Sequence, residues 1–394
     1  MKNILFVCST LNIGGAEKSL INLLNIIDFS QYSVDLLLLH KEGEFMSQLP
    51  KEVNVIDGGV KMKCLYNKKP LRYYSFLFLF KCFFNFIETI RFHHYDELRA
   101  HRWVDFYKKI CERLEKEYDV AVAYQSGDCT YFVADKVSAL RKVTYFHTDI
   151  SKIKLANKIE ELYLNKFDLI VTISSECLRA TQRQFPAFAN KIVCLNNLSS
   201  PQLLVNFAGN VNPYSIYTSG DEFVILSVGR LVEIKGFELA IEASKILRDS
   251  NYKFKWFIVG EGKQRKSLEQ RINDLRLSDY CFLIGEKGNP YPYFKFADLV
   301  VQTSFYEGKS MVLDEAKIFG KPIISTNYNT VHDQIVDGKN GLIVDMNAES
   351  LANSVAVLID NSDLRIKLIN NNINYKNVYS KNSINQYISK IFDN

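Results

Sequence analysis

Two carboxylates eight residues apart, Glu307 and Glu315, bracket the start of a helical pattern in Ser304-Phe-Tyr-Glu307-Gly308-Lys-Ser310-Met311-Val312-Leu-Asp-Glu315. The segment follows an apolar strand pattern at 299–302, and the helix is expected to begin near Ser310. A helix N-terminus exposes unpaired N–H groups and the positive end of a dipole, which suits a phosphate. Carboxylates on either side of that point suit hydroxyl groups of a sugar. Taken singly, Glu315 reads equally well as a solvated helix residue and Glu307 as a loop surface charge.

A second segment, Gly229-Arg230-Leu-Val-Glu-Ile-Lys235-Gly236, also sits at a strand end. Its guanidinium and ammonium, five residues apart in a loop, can converge on one anion, the first as a planar fork and the second as a point charge. Two phosphate-suited loops in one half of the chain outweigh the reading of each as ordinary surface cations. Gly14-Gly15 follows the first strand pattern and lets backbone approach a ligand closely. Gly260-Glu-Gly262 is a similar strand-end turn that completes only part of a dinucleotide fingerprint. His147 ends the strand pattern 142–146, where an imidazole can touch a substrate hydroxyl or a developing charge; a lone His is more often structural. His93, His94 and His101 read as surface residues. No Asp-x-Asp pair, His-Glu-x-x-His or P-loop occurs, so no metal site is expected.

The elements that position these residues are short apolar strands alternating with helical patterns: 4–8, 33–39, 120–124, 142–146, 169–173 and 192–195, then 223–228, 255–259, 281–284, 299–302, 322–325 and 341–344. Such alternation argues for parallel sheets covered on both faces, an α/β architecture of two doubly wound domains. At 394 residues, with 47% apolar and 24% charged, the chain has material for two buried cores, which excludes disorder for its bulk. Turn chemistry at 196–221 predicts the boundary. The domains are expected at 1–200 and 221–377 with a linker at 201–220, and the apolar spacing at about 378–394 suits a terminal amphipathic helix. Ligands of such sheets sit beyond the carboxyl ends of the strands, in a cleft across which the domains face one another. The eight cysteines are scattered without a Cys-x-x-Cys pair, which favours thiols in a reducing compartment. The chain enters its first strand at once and reads as mature and cytoplasmic.

Net charge is +5, too mild to imply nucleic acid. Between 61 and 72, however, five basic residues (Lys61, Lys63, Lys68, Lys69, Arg72) stand with no acidic one, and the strongly aromatic run 73–87 follows. Lys81 and Asn85 interrupt that run, so a membrane-spanning helix is not expected. Two readings of 61–92 have equal weight: peripheral contact with an anionic membrane, and a core helix behind a solvated basic loop.

The combination of Gly14-Gly15, Gly229-Arg230…Lys235-Gly236, Gly260-Glu-Gly262 and Glu307-x7-Glu315 resembles the retaining GT-B glycosyltransferases of family 4, and Phe282-Leu-Ile-Gly285-Glu286 resembles the strand and loop that flank the nucleobase in that family. The resemblance runs over nearly the whole chain, is strongest from Val224 to Val344, and implies that the last helix, at about 378–394, packs back on the first domain. It implies a metal-independent retaining transfer of a hexose or N-acetylhexosamine from a nucleotide diphosphate sugar, UDP foremost, to a glycan or lipid-linked acceptor in bacterial surface polysaccharide synthesis, with no cofactor. By the family pattern Arg230 and Lys235 bind the diphosphate, Glu307 the donor-sugar hydroxyls and Glu315 the ribose. Ser310, Met311 and Val312 offer amides to phosphate beside Gly308, Gly14 and Gly15 approach it from the first domain, and His147 lies near the sugar. The catalytic set is then Arg230, Lys235, Glu307 and His147, and the donor-binding set includes Gly229, Gly260, Gly262, Gly285 and Glu286. Lys309, Ser310 and Asp314 depart from the family's usual residues, which bears on the donor sugar. The competing readings are a nucleotide-sugar epimerase of the same fold and a non-catalytic nucleotide-sugar-binding partner; an NAD-dependent oxidoreductase fails for want of a complete glycine fingerprint.

Overall fold

The computed structural model describes residues 1–66, 74–197, 201–372 and 381–393. They form two compact units, Met1–Leu198 with Ile384–Asn394, and Ser199–Ser383. Lys68, Lys69 and Arg72, to which the sequence reading gave weight, and the start of the expected terminal helix at 378–380 lie outside the described residues.

The first unit is built on seven parallel strands, β1 (Lys2–Cys8), β2 (Tyr32–Leu38), β3 (Asn54–Ile56), β4 (Glu117–Ala123), β5 (Ser138–Phe146), β6 (Leu169–Thr172) and β7 (Ile192–Cys194), in the order β3-β2-β1-β4-β5-β6-β7. Continuous apolar runs make this sheet because both of its faces are covered: Ile4, Leu5, Phe6, Val7 and Cys8 are all shut off from solvent. The edge strand β3 was not expected from sequence, since one exposed and two half-exposed residues carry no periodicity. The helix Lys381–Phe392 joins this unit from Ile384 onward. The Tyr387 and Tyr145 hydroxyls meet at 3.2 Å, Arg141 donates to the carbonyls of Ile391 (3.1 Å) and Lys390 (3.2 Å), and Lys2 pairs with Asp393 at 2.6 Å.

The second unit holds six parallel strands, β8 (Phe223–Val228), β9 (Phe254–Val259), β10 (Cys281–Leu283), β11 (Leu299–Gln302), β12 (Ile323–Thr326) and β13 (Leu342–Val344), in the order β10-β9-β8-β11-β12-β13. Trp256, Phe254, Ile225, Val301 and Ile324 centre its core. The expected linker 201–220 is instead folded onto this unit. It contains the helix Pro201–Ala208, and the Tyr214 ring packs 4.6 Å from Phe257 while its hydroxyl donates to the Tyr293 carbonyl at 2.9 Å. Leu204 and Tyr214, apolar anchors among turn residues, are what draw the segment in.

None of the eight cysteines forms a disulfide. His93 and His94 are exposed as read from sequence, whereas His101 is half-buried, stacked on Phe92 with ring centroids 4.0 Å apart. The aromatic run forms the helix Ser75–Arg91, with Leu77 and Phe84 against the first unit's core.

Candidate functional site

In the second sheet the strand order reverses between β8 and β11, the topological switch point at which doubly wound sheets hold ligands beyond their carboxyl ends. The two loops singled out from sequence leave the sheet at these strands. Backbone joins them: Phe305 N–H donates to the Ile234 carbonyl at 2.8 Å, and Thr303 Oγ1 donates to the Lys235 carbonyl at 2.7 Å. Gly236 takes the left-handed conformation (φ 59°), and a Cβ there would stand 2.2 Å from the Thr303 carbonyl oxygen, so only glycine allows this approach. The turn after β9 locks on from the other side. Leu231 N–H donates to the Glu261 carbonyl at 2.8 Å, Gly260 N–H donates to the Gly285 carbonyl at 3.0 Å, and a Cβ on Gly260 (φ 154°) would stand 1.9 Å from the Gly229 carbonyl oxygen. A Cβ on Gly262 would collide with Leu231 backbone in the same way. Glu286, next to Gly285, is exposed.

At the centre Lys235 and Glu307 form an ion pair, both side chains mostly withdrawn from solvent. The Lys235 stem lies across the Gly229 backbone, next to Arg230. Gln302 Nε2 and Ser304 Oγ each donate to Glu307 Oε1 at 2.8 Å, and Thr330 Oγ1 donates to the Glu307 carbonyl at 2.8 Å. The Lys235 contact falls on Oε1 as well, and Glu307 Oε2 makes no hydrogen bond among the described residues. The carboxylate is thus fixed through one oxygen and offers the other. Arg230 is exposed and makes no side-chain hydrogen bond or ion pair among the described residues.

The helix Met311–Ile318 starts where expected, with Ser310 as its N-cap. The Ser310 amide, expected to be available to phosphate, is instead committed to Gln334 Oε1 at 2.8 Å. Gln334 is buried and satisfies its own amide group by donating to the Ser310 carbonyl (2.7 Å) and Asp314 Oδ1 (2.9 Å). Met311 and Val312 occupy the first turn. Two of the departures noted in sequence, Lys309 and Asp314, form an ion pair at 3.0 Å with side-chain exposures of 6% and 0%. Lys317 donates to the Gln334 carbonyl at 2.5 Å, and burial lowers its pKa to about 8. Glu315 is buried, not a solvated helix residue.

In the first unit the same topology applies between β1 and β4. Gly14 caps the helix Gly15–Leu24 in an extended conformation, and Glu17 folds over it: a Cβ on Gly14 would stand 2.2 Å from Glu17 Oε2. Gln125 Nε2 holds Glu17 Oε1 at 2.8 Å and Gln125 Oε1 accepts from the Ser9 amide at 2.9 Å. His147 stacks on Tyr145 (centroids 5.4 Å, planes 13° apart) and lies 5.0 Å from Tyr124. Burial lowers its pKa to about 4, against a smaller opposing effect of the Tyr124 backbone, so the ring is neutral at pH 7. Asp149, two residues on, caps a turn by accepting from Ser151 N–H (3.0 Å) and Oγ (2.7 Å).

Sequence reading missed Gln302, Ser304, Thr330 and Gln334. Ser304 is three residues from Glu307 and was visible; Thr330 and Gln334 reach the site across more than twenty residues of chain.

With this geometry in place, residues 215–375 match the model of the family described as Glycosyl transferases group 1. This stretch is similar to group 1 glycosyltransferase domains. The matched stretch coincides with most of the second unit and contains both loops. The lipopolysaccharide core biosynthesis glycosyltransferase LpsE of Rhizobium meliloti is 29% identical over 189 residues, which are 46% of this chain and 54% of LpsE. The chain spans about half the length of most curated relatives that it matches. A Campylobacter jejuni protein named GalNAc-alpha-(1->4)-GalNAc-alpha-(1->3)-diNAcBac-PP-undecaprenol alpha-1,4-N-acetyl-D-galactosaminyltransferase is 24% identical over 388 residues, 94% of this chain and 92% of that protein. Among solved structures, Anabaena HepE in complex with UDP-glucose superposes with a TM-score of 0.71 at 17% identity, covering 99% of each chain. The fold is therefore GT-B, two Rossmann-like parallel-sheet units, as the resemblance implied.

Proposed function

We propose that the chain is a retaining glycosyltransferase that moves a hexose or N-acetylhexosamine from a nucleotide diphosphate sugar, UDP foremost, to a hydroxyl of a glycan or lipid-linked acceptor in bacterial surface polysaccharide synthesis. The observation that carries this reading is Glu307, clamped through Oε1 by Lys235, Gln302 and Ser304 with Oε2 left to accept from a sugar hydroxyl. The names of the relatives, a lipopolysaccharide core enzyme and an N-acetylgalactosaminyltransferase, and the UDP-glucose bound to HepE support the choice of chemistry.

In this reading the anomeric C–O bond breaks and negative charge grows on the diphosphate. Arg230, Lys235 and the amides of Met311 and Val312 meet that charge with positive groups, with no metal ion required. The acceptor hydroxyl adds to the anomeric carbon on the face the diphosphate leaves, and its proton passes to the departing phosphate oxygen. His147, neutral at pH 7, serves as a hydrogen-bonding group and not as a cation.

The test is a thermal-shift screen of UDP, GDP, ADP and their sugar conjugates on the full chain, followed by chromatography of the products. A ligand at a hundred times its Kd stabilises by about 2.7 kcal/mol, roughly 5–10 °C for a unit of this size. UDP and one UDP-sugar are expected to produce that shift and a new glycoside to form. No shift with any nucleotide at millimolar concentration, or an epimerised donor as the sole product, would sink the reading.

A further inference from the structure

The helix Ser75–Arg91 is arranged with its charge inward and its oil outward. Lys81 and Glu88, 7% and 1% exposed, face the unit: Lys81 Nζ donates to the Cys64 carbonyl at 3.2 Å and lies 4.3 Å from the Phe78 ring, and Arg91 closes over Glu88 at 2.6 Å. On the opposite side Phe76, Leu79, Phe80, Phe83, Phe86, Ile87 and Ile90 are exposed, Phe76 to 83% and Phe86 to 64%. At about 100° per residue these seven fall on one stripe, and 17 residues extend it over roughly 25 Å. Isolated surface hydrophobics need no explanation, but a contiguous apolar patch of this kind marks an interaction surface. Phe84 and Phe80 pack on Phe106 with centroids at 4.9 and 5.2 Å, which fixes the roll of the helix, so the stripe cannot turn inward without exposing Lys81 and Glu88.

The charge around the stripe says what covers it. In sequence, the stretch 61–72 ahead of the helix carries five basic residues and no acidic one; Lys61 pairs with Glu112 and Lys63 with Asp57, and at the far end Arg91, paired with Glu88, keeps its side chain half exposed. No helix among the described residues is long and apolar enough to cross a membrane. An apolar stripe that follows a net-basic stretch of sequence and ends at Arg91 matches a bilayer surface, where aromatic rings enter the headgroup boundary and Lys/Arg meet anionic lipids.

We infer that the outward face of the Ser75–Arg91 helix docks this chain on a bilayer bearing anionic lipid headgroups. This inference does not rest on the donor chemistry proposed above. Cys82, on this helix, is exposed and supplies a labelling site, since six of the other seven cysteines are buried.

The experiment is flotation of the full chain with phosphatidylethanolamine/phosphatidylglycerol vesicles and, separately, with phosphatidylcholine vesicles, alongside emission from an environment-sensitive dye on Cys82. The chain is expected to float with the anionic vesicles, at least tenfold less with the zwitterionic ones, and the dye to shift to the blue. Phe83→Ser with Phe86→Ser, both at solvent-facing positions, is expected to cut vesicle binding at least tenfold while leaving the thermal midpoint and the UDP-induced thermal shift unchanged. Three results would overturn the inference: no flotation with either vesicle, equal flotation of the double variant, or a vesicle-free mass of two copies that the double variant returns to one. The last would assign the face to a second copy of the chain.

Discussion

Lys309→Met removes the cation from a pair that is almost entirely out of water. The two groups are 3.0 Å apart with exposures of 6% and 0%. At an effective dielectric of about 20 their attraction is roughly 5–6 kcal/mol. Met keeps the volume of the stem, so the loss is electrostatic: Asp314 stays buried, still accepting from Gln334 Nε2 and still facing Lys317, but without the Lys309 ammonium. Breaking a buried pair in this way costs about 3–5 kcal/mol, or roughly 6–20 °C in the midpoint of a unit of this size. The chain has two tryptophans, Trp103 in the first unit and the buried Trp256 in the second, so in a Trp103→Phe background the fluorescence melt follows the second unit alone. Asp314→Asn completes a double-mutant cycle, with an expected coupling of at least about 2 kcal/mol. A Lys309→Met midpoint within about 2 °C of its parent, or additive single variants, would show that the pair does not hold the start of the Met311–Ile318 helix.

Three further outcomes are expected. Lys235→Ala should lower turnover by about 10²–10³-fold, measured as UDP release from the donor, because Glu307 remains held by Gln302 and Ser304 while the charge on the leaving group loses its ammonium; near-normal turnover would remove Lys235 from that role. Glu160, buried beside the Tyr131 hydroxyl, has its pKa raised by burial from 4.5 to about 7. The folded state therefore keeps a proton that the unfolded chain releases, and stability of roughly 3 kcal/mol is full below pH 4.5 and lost as pH rises through 7. His147, lowered from 6.5 to about 4, has the opposite slope, stabilising as pH rises from 4 to 6.5. Glu160→Gln should expose that rise in urea melts of the first unit, and a flat profile would contradict it. Gly260→Ala should cost the second unit about 3 kcal/mol or more, since its Cβ meets the Gly229 carbonyl, whereas Gly288→Ala, with open space around the added methyl, should change the midpoint little.

The doubly wound class was legible because every strand of the two sheets but β3 reads as an apolar run, and runs of that kind need cover on both faces. β3 escaped because three residues, one exposed and two half-exposed, leave no pattern. The segment 201–220 was taken for a linker because turn residues outnumber Leu204 and Tyr214, yet those two side chains decide where it packs. In the site, local spacing was enough to pick out Glu307, Lys235 and the start of the helix. It was blind to Gln334, which reaches back across 24 residues to take the Ser310 amide, a contact set by tertiary packing. Lys309 and Asp314 were noticed as oddities in sequence and make sense only as each other's partner. For the aromatic run, composition left two readings open. Periodicity alone does not say which side of a helix faces water, and here the polar side faces in.

The return of the Lys381–Phe392 helix to the first sheet has a consequence for biosynthesis. The polypeptide leaves the first unit after Leu198 and rejoins it at Ile384, so the earlier-made sheet lacks its cover over Tyr145 and Arg141 until residue 392 has cleared the ribosome. The unit translated second is therefore the one able to finish folding first.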